Sequence, residues 1–225
     1  MSRNKFIQQK PTAILVDGSF FLKRYRRCVK NSNNHSPKEV AKIMYTILLK
    51  HVEDENLYRI LYYDCPPIAK RAHNPITGKC IDFTKTEIAL FRTELHNELK
   101  KLRKVALRFG YLKDQSGWMI HSNKMKEILK KKISINDLSE YDVYYNIKQK
   151  GVDIRIGLDI ASLSYKKLVS KIILVSGDSD FVPAAKLARR EGIDFILDPM
   201  WQRIDDDLFE HIDGLKSTCD KPLFY

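Results

Sequence analysis

LVSGDSDFVPAAKLARREG, running from Leu174 to Gly192, is the stretch whose reading decides the fold. Upstream of it, Lys171 to Val175 (KIILV) is apolar beyond its lysine, which reads as a central strand buried on both faces. Downstream, Val182 to Glu191 has helical character. Between them, Ser176-Gly177-Asp178-Ser179-Asp180 crowds two carboxylates and two hydroxyls into five residues. Asp178 or Ser179 can serve simply as the N-cap of the helix that follows. The same carboxylates can also hold a divalent cation.

Outward from this junction the pattern repeats. Thr12 to Val16 (TAILV) is a short apolar run that breaks at Asp17-Gly18-Ser19, where Asp17 fits either a turn residue or a site residue. Helices are expected over 20–30 and 37–53, the second behind Ser36-Pro37 with Val40, Ile43, Met44, Ile47 and Leu48 at helical spacing. Tyr58 to Tyr63 (YRILYY) forms a second strand ending at Asp64. A helix over Thr86 to Lys104 leads into a strand over Val105 to Leu112. Another helix opens at Lys150-Gly151-Val152-Asp153 and runs to Leu163. Phe195 to Leu197 closes the sheet, and Asp205-Asp206-Asp207 starts a short acidic helix.

Strand and helix in alternation predict a three-layer α/β/α domain around a mainly parallel sheet. Stretches around 65–104 and 114–148 exceed what such a core needs and read as insertions with helical content, within a single domain over 1–225. In a doubly wound sheet, ligands sit beyond the carboxyl ends of the strands. Asp17, Asp178 and Asp180 fall there, and Asp153 lies at a helix opening. Gathered carboxylates would raise one another's pKa unless a cation joined them. Asp64 and Asp198 also end strands, but each runs directly into Cys-Pro or Pro and is read as structural. At ~100° per residue Asp159 lies about 120° around its helix from Asp153, where an Arg155–Asp159 pair accounts for it.

Composition sets the partner class. The chain has 225 residues, with 40 Lys and Arg against 28 Asp and Glu, a net charge of +12 that favours polyanions. Basic stretches occur at Lys23-Arg24-Tyr25-Arg26-Arg27, Lys100 to Arg108 and Lys124 to Lys132. Of these, Lys23, Arg24, Arg26, Arg27, Lys130, Lys131 and Lys132 are the candidate phosphate contacts. Four scattered cysteines without a CxxC pair argue against zinc and disulfide frameworks. The opening MSRNKFIQQKPT lacks the apolar core of a leader, and no apolar run reaches the roughly eighteen residues of a membrane span. The expected location is the cytoplasm.

VDGS at 16–19, KGVD at 150–153 with LDIA at 158–161, and SGDSDFVPAAKLARREG at 176–192 resemble the NYN domain, in its LabA-like branch, among the PIN-like metal-dependent nucleases. The likeness spans roughly residues 12–200, and SGDSDF is its most specific part. The resemblance implies an acidic pocket that binds Mg²⁺ or Mn²⁺ and cleaves RNA. It carries over Asp17, Asp153, Asp159, Asp178 and Asp180 as acidic positions, and so adds Asp159 to the site. It gives Asp17, Asp153, Asp178 and Asp180 to the metal, with Ser19, Ser176 and Ser179 positioning ligand or water. Many relatives carry Asn where this chain has Phe20. A binding module that keeps the fold without cutting is the alternative, while a haloacid-dehalogenase-type phosphatase fails because DxD is absent after the first strand. The expected partner is RNA, with a homodimer or a regulatory protein left open.

Overall fold

The computed structural model describes residues 11–52 and 56–222. Most of the opening stretch searched for a leader, and the last residue of the helix expected over 37–53, lie outside the described residues. In chain order the elements are β1 (Thr12–Asp17), α1 (Gly18–Cys28), α2 (Pro37–Leu49), β2 (Leu57–Asp64), β3 (Arg71–His73), β4 (Cys80–Asp82), α3 (Glu87–Lys100), β5 (Val105–Phe109) and β6 (Tyr111–Ile120). There follow α4 (Ser122–Leu129), β7 (Val143–Lys150), α5 (Val152–Tyr165), β8 (Lys171–Val175), α6 (Val182–Arg190), β9 (Asp194–Asp198), α7 (Asp206–Glu210) and β10 (Gly214–Leu215).

Six strands form one sheet in the order β10-β9-β8-β1-β2-β5, and every pairing in it is parallel. Parallel strands need both faces covered, and the sequence of β1 meets that demand: Thr12, Ala13, Ile14, Leu15 and Val16 are all fully buried. One face packs α1, α2 and α3 through Phe21, Tyr25, Met44, Leu48, Leu95 and Leu99 onto Ile14, Ile60 and Ile173. The other packs α5 and α6 through Ile156, Ile160, Ala185 and Ala188 onto Leu15, Leu61 and Leu174. Each fully buried Leu or Ile stabilises the fold by about 2 kcal/mol before entropy is counted. No described helix is long and apolar enough to cross a membrane.

The strand order fixes the site. From β1 the chain crosses to β2 on one side, whereas β8 pairs on the other, with Val16 opposite Val175. That reversal makes the β1/β8 boundary the switch point, where a crevice opens beyond the strand ends. Gly18 is demanded there, because a Cβ on it would come within 2.6 Å of the Tyr62 ring and 2.7 Å of the Tyr63 carbonyl. Any side chain would push the first turn of α1 off β2.

Three features differ from the sequence reading. β9 is not the sheet edge, since the two-residue β10 pairs outside it. The first insertion holds a short β3–β4 hairpin as well as α3. The second contains α4, yet much of it is an antiparallel ribbon of β6 and β7 that stands apart from the main sheet.

Candidate functional site at the carboxyl edge of the sheet

Asp17 ends β1 and caps α1, its carboxylate accepting the Phe20 amide at 3.0 Å. Asp178 does the same one strand over, accepting the Asp180 amide at 3.0 Å to open a single 3₁₀ turn before α6. The capping roles are therefore real, and they fix both carboxylates just beyond the ends of the adjacent strands β1 and β8. Asp153 sits in the first turn of α5, behind Gly151 in the left-handed region at φ 76°.

Mutual repulsion links these groups. Burial pushes the Asp17 carboxyl up to about 6; the Phe20 and Ser19 amides oppose the rise, while Asp153 and Asp64 add to it. Asp153 is raised as well, by partial burial and then by Asp178 and Asp180, although its side chain is exposed. Asp17, Asp153, Asp178 and Asp180 form no ion pair among the described residues. Of the other strand-end and candidate acids, Asp64 contacts Arg92 and His96, Asp198 contacts His51, and Asp159 contacts Arg108.

Asp159 has partners of its own. It accepts from the Tyr63 hydroxyl at 2.8 Å and forms an ion pair with Arg108, whose Nε lies 3.2 Å away. Its partner is Arg108 rather than Arg155, whose guanidinium donates to the Gly151 carbonyl at 2.7 Å. Asp64 and Asp198 are wholly buried structural acids, as read, but Asp64 also adds its charge beside Asp17.

The serines divide. Ser176 is fully buried and accepts the Asp178 amide at 3.4 Å, so it shapes the loop. Ser19 donates to the Gln149 carboxamide at 3.0 Å. Ser179 lies half-buried in the 3₁₀ turn. The Phe20 ring packs over Gly177, where a Cβ would come within 2.9 Å of it. An aromatic ring thus covers the start of the Gly177 loop.

The basic residues divide too. Arg24 is 5% exposed and donates two bonds to the Met200 carbonyl, at 2.9 and 2.6 Å. It cannot meet a phosphate, because it lies on the same buried face of α1 as Phe21, Tyr25 and Cys28. Lys23, Arg26 and Arg27 are exposed and line a cleft of about 680 Å³. Ser19 forms one wall, and α3 contributes Phe91 and Arg92, which the sequence reading missed. Nothing in the spacing of α3 marked Arg92, which pairs with Asp64 and reaches toward Ser19. Lys130, Lys131 and Lys132 are exposed beyond α4, at the far end of the ribbon, roughly 23 Å of strand from Lys150.

The donor set at the edge is all oxygen, which suits Mg²⁺ or Mn²⁺ and excludes soft-ligand ions. The four carboxylates have the donor chemistry for such an ion, although no three of them bring ligand atoms within 4.8 Å of one another, so several water ligands would have to complete the shell. Asp207, Glu210 and His211 do bring candidate ligand atoms within 4.8 Å of one another. They crowd one turn of the five-residue α7, and both carboxylates are exposed there, an arrangement common without any ion.

A model of the family described as NYN domain matches residues 79–203, more than half of the chain. It takes in Asp153, Asp178 and Asp180, and the sheet register sets Asp17 alongside them. The structure of a protein of unknown function from Vibrio parahaemolyticus is similar with a TM-score of 0.48 at 16% identity, covering 96% of this chain and 94% of that one. No curated protein matches the sequence.

Proposed function

Because the chain belongs to the NYN domain family of PIN-like nucleases, we propose that it is a metal-dependent ribonuclease of the LabA-like branch, folded as one domain over its length. One observation carries the reading. Asp17, Asp153, Asp178 and Asp180 share one sheet edge without an ion-pair partner among the described residues, while Asp64, Asp159 and Asp198 are each paired. Leaving the largely buried Asp17 without a counter-charge costs stability, and a polyanion binder gains nothing from an acidic edge. A cation-dependent hydrolase does.

Asp17, Asp153, Asp178 and Asp180 would hold Mg²⁺ or Mn²⁺. When bound, such an ion polarises a phosphodiester and acidifies a water for in-line attack. The chain's own part is to bind and orient. Lys23, Arg26 and Arg27 offer three exposed cations beside the Ser19 wall of the cleft, suited to the phosphates flanking the scissile one. Phe91 and Leu22 give that cleft an apolar side on which a base can rest. Ser176 and the Asp178 cap hold the loop that carries Asp178 and Asp180.

The test is cleavage of a labelled, partly structured RNA in Mg²⁺, Mn²⁺ or EDTA by the wild type, Asp178→Asn and Asp159→Asn. Loss of a hundredfold or more in Asp178→Asn, with Asp159→Asn within about threefold of wild type, is expected. Metal-independent cutting, or an intact Asp178→Asn, overturns the proposal. Binding without cutting under every condition moves the non-catalytic module ahead.

A further inference from the structure

The β6–β7 ribbon has two unlike faces. Its inner face is packed: Tyr145 meets Trp118 edge-on at 5.6 Å and Phe83 at 5.1 Å, with the Lys70 ammonium 5.4 Å over its ring. The ribbon's only carboxylate within its strands, Asp114, also belongs to that side, where it pairs with Lys70 and accepts from Tyr145. The outer face carries Tyr111, Lys113 and Met119 from β6 and Tyr144, Lys148 and Lys150 from β7, all exposed.

Register turns these six into a pattern. Met119 faces Tyr144, Lys113 faces Lys148, and Tyr111 faces Lys150. Two lysines directly opposite one another repel, and no ion pair relieves Lys113, Lys148 or Lys150 among the described residues. Three cations and two tyrosines with no acid among them make a surface whose missing complement is an anion with flat apolar parts. Lys150 stands three residues before Asp153, within about 11 Å along the chain.

We infer that the outer face of this ribbon is a binding track for single-stranded RNA, with unpaired bases stacked on Tyr111 and Tyr144 and phosphates on Lys113, Lys148 and Lys150. The inference rests on the ribonuclease reading and assigns that enzyme a substrate lacking base pairs at the point of entry. Exposed aromatic rings reward bases only when these are splayed out of a helix, whereas a duplex offers the ribbon phosphates alone. Stacking tolerates any base, so the track selects strandedness rather than sequence.

Fluorescence anisotropy in EDTA, where binding is read without cutting, tests this with a labelled single-stranded twelve-nucleotide RNA and a duplex of the same length. Tyr111→Ala/Tyr144→Ala and Lys113→Ala/Lys148→Ala change only exposed side chains, and unchanged melting curves check that both variants fold. The tyrosine pair is expected to weaken single-strand binding about tenfold or more while leaving the weaker duplex binding unchanged. The lysine pair should lower the slope of log affinity against log salt by nearly two. If the wild type binds single strands and both variants match it, the track is elsewhere and the ribonuclease reading stands. Equal duplex affinity, or equal competition by polyglutamate, likewise overturns the track. A wild type that neither binds nor cuts any RNA takes the underlying reading down with it.

Discussion

The Ser19 hydroxyl donates to the Gln149 carboxamide at 3.0 Å, joining residues 130 apart in the chain. It ties the first turn of α1 to the foot of the ribbon, so the helix start behind Asp17 and the helix start before Asp153 are held together. A neutral bond of this kind contributes about 1 kcal/mol. Ser19→Ala and Gln149→Ala should each lose about that much in urea melts. The double variant should lose little more than either alone. Additive losses would show that the bond does not couple the two elements.

Asp17 predicts a pH dependence of stability. Its folded pKa is raised from 3.8 to about 6, so the fold takes up this proton more readily than the unfolded chain. The resulting penalty is absent below pH 3.8, grows as pH rises, and is full above about 6, where it is worth about 3 kcal/mol. Asp17→Asn keeps an oxygen for the Phe20 amide and loses the charge. In EDTA at pH 7.5 it should melt about 5 °C or more above wild type, and the gain should shrink as pH falls toward 4. Mg²⁺ should raise the wild type and leave the variant unmoved. A gain that persists unchanged at pH 4 would assign it to something other than the carboxylate charge.

Two neighbouring arginines should separate stability from binding. Arg24→Ala removes both donors from the Met200 carbonyl, whose residue is held in the left-handed region at φ 46° beside Trp201 at 63°. It should cost about 3 kcal/mol while the folded fraction binds RNA as before. Arg26→Ala should cost less than about 0.5 kcal/mol and reduce the salt slope of RNA binding by about one. Thermal melts and salt titrations of the two variants decide it; reversed outcomes would mean that Arg24 leaves its buried seat.

The central strands were legible because nothing else explains an unbroken apolar run ending in Asp-Gly or Ser-Gly-Asp. Their parallel arrangement followed from the alternation with helices, but their order about β1 did not. The ribbon was not legible. Its alternation is interrupted where the register slips between Asp114 and Trp118, and its aromatics point to both faces, so no period of two survives inspection. β10 spans two residues and carries no pattern of its own. Arg24 looked like its neighbours in a basic run, although three residues after Phe21 and four before Cys28 puts it on the buried face. Asp159 exposes the limit of reading one helix at a time. Arg155 stood at the right spacing, but Tyr63 and Arg108 reach across from other strands, and spacing along α5 cannot announce them.

The order of strands in the sheet also sets a schedule for the chain as it is made. β1 and β2 can pair once the chain through Asp64 has emerged, with Asp17 already at its strand end. Its companions wait for α5, and then for β8 and the loop through Asp180, which enter the sheet on the opposite flank of β1. Long-range parallel pairing of this sort forms late. On the nuclease reading, a chain still on the ribosome holds one isolated carboxylate beside the message being translated. It becomes able to cut only after synthesis has passed Asp180, so the topology itself delays the activity until both flanks of β1 are in place.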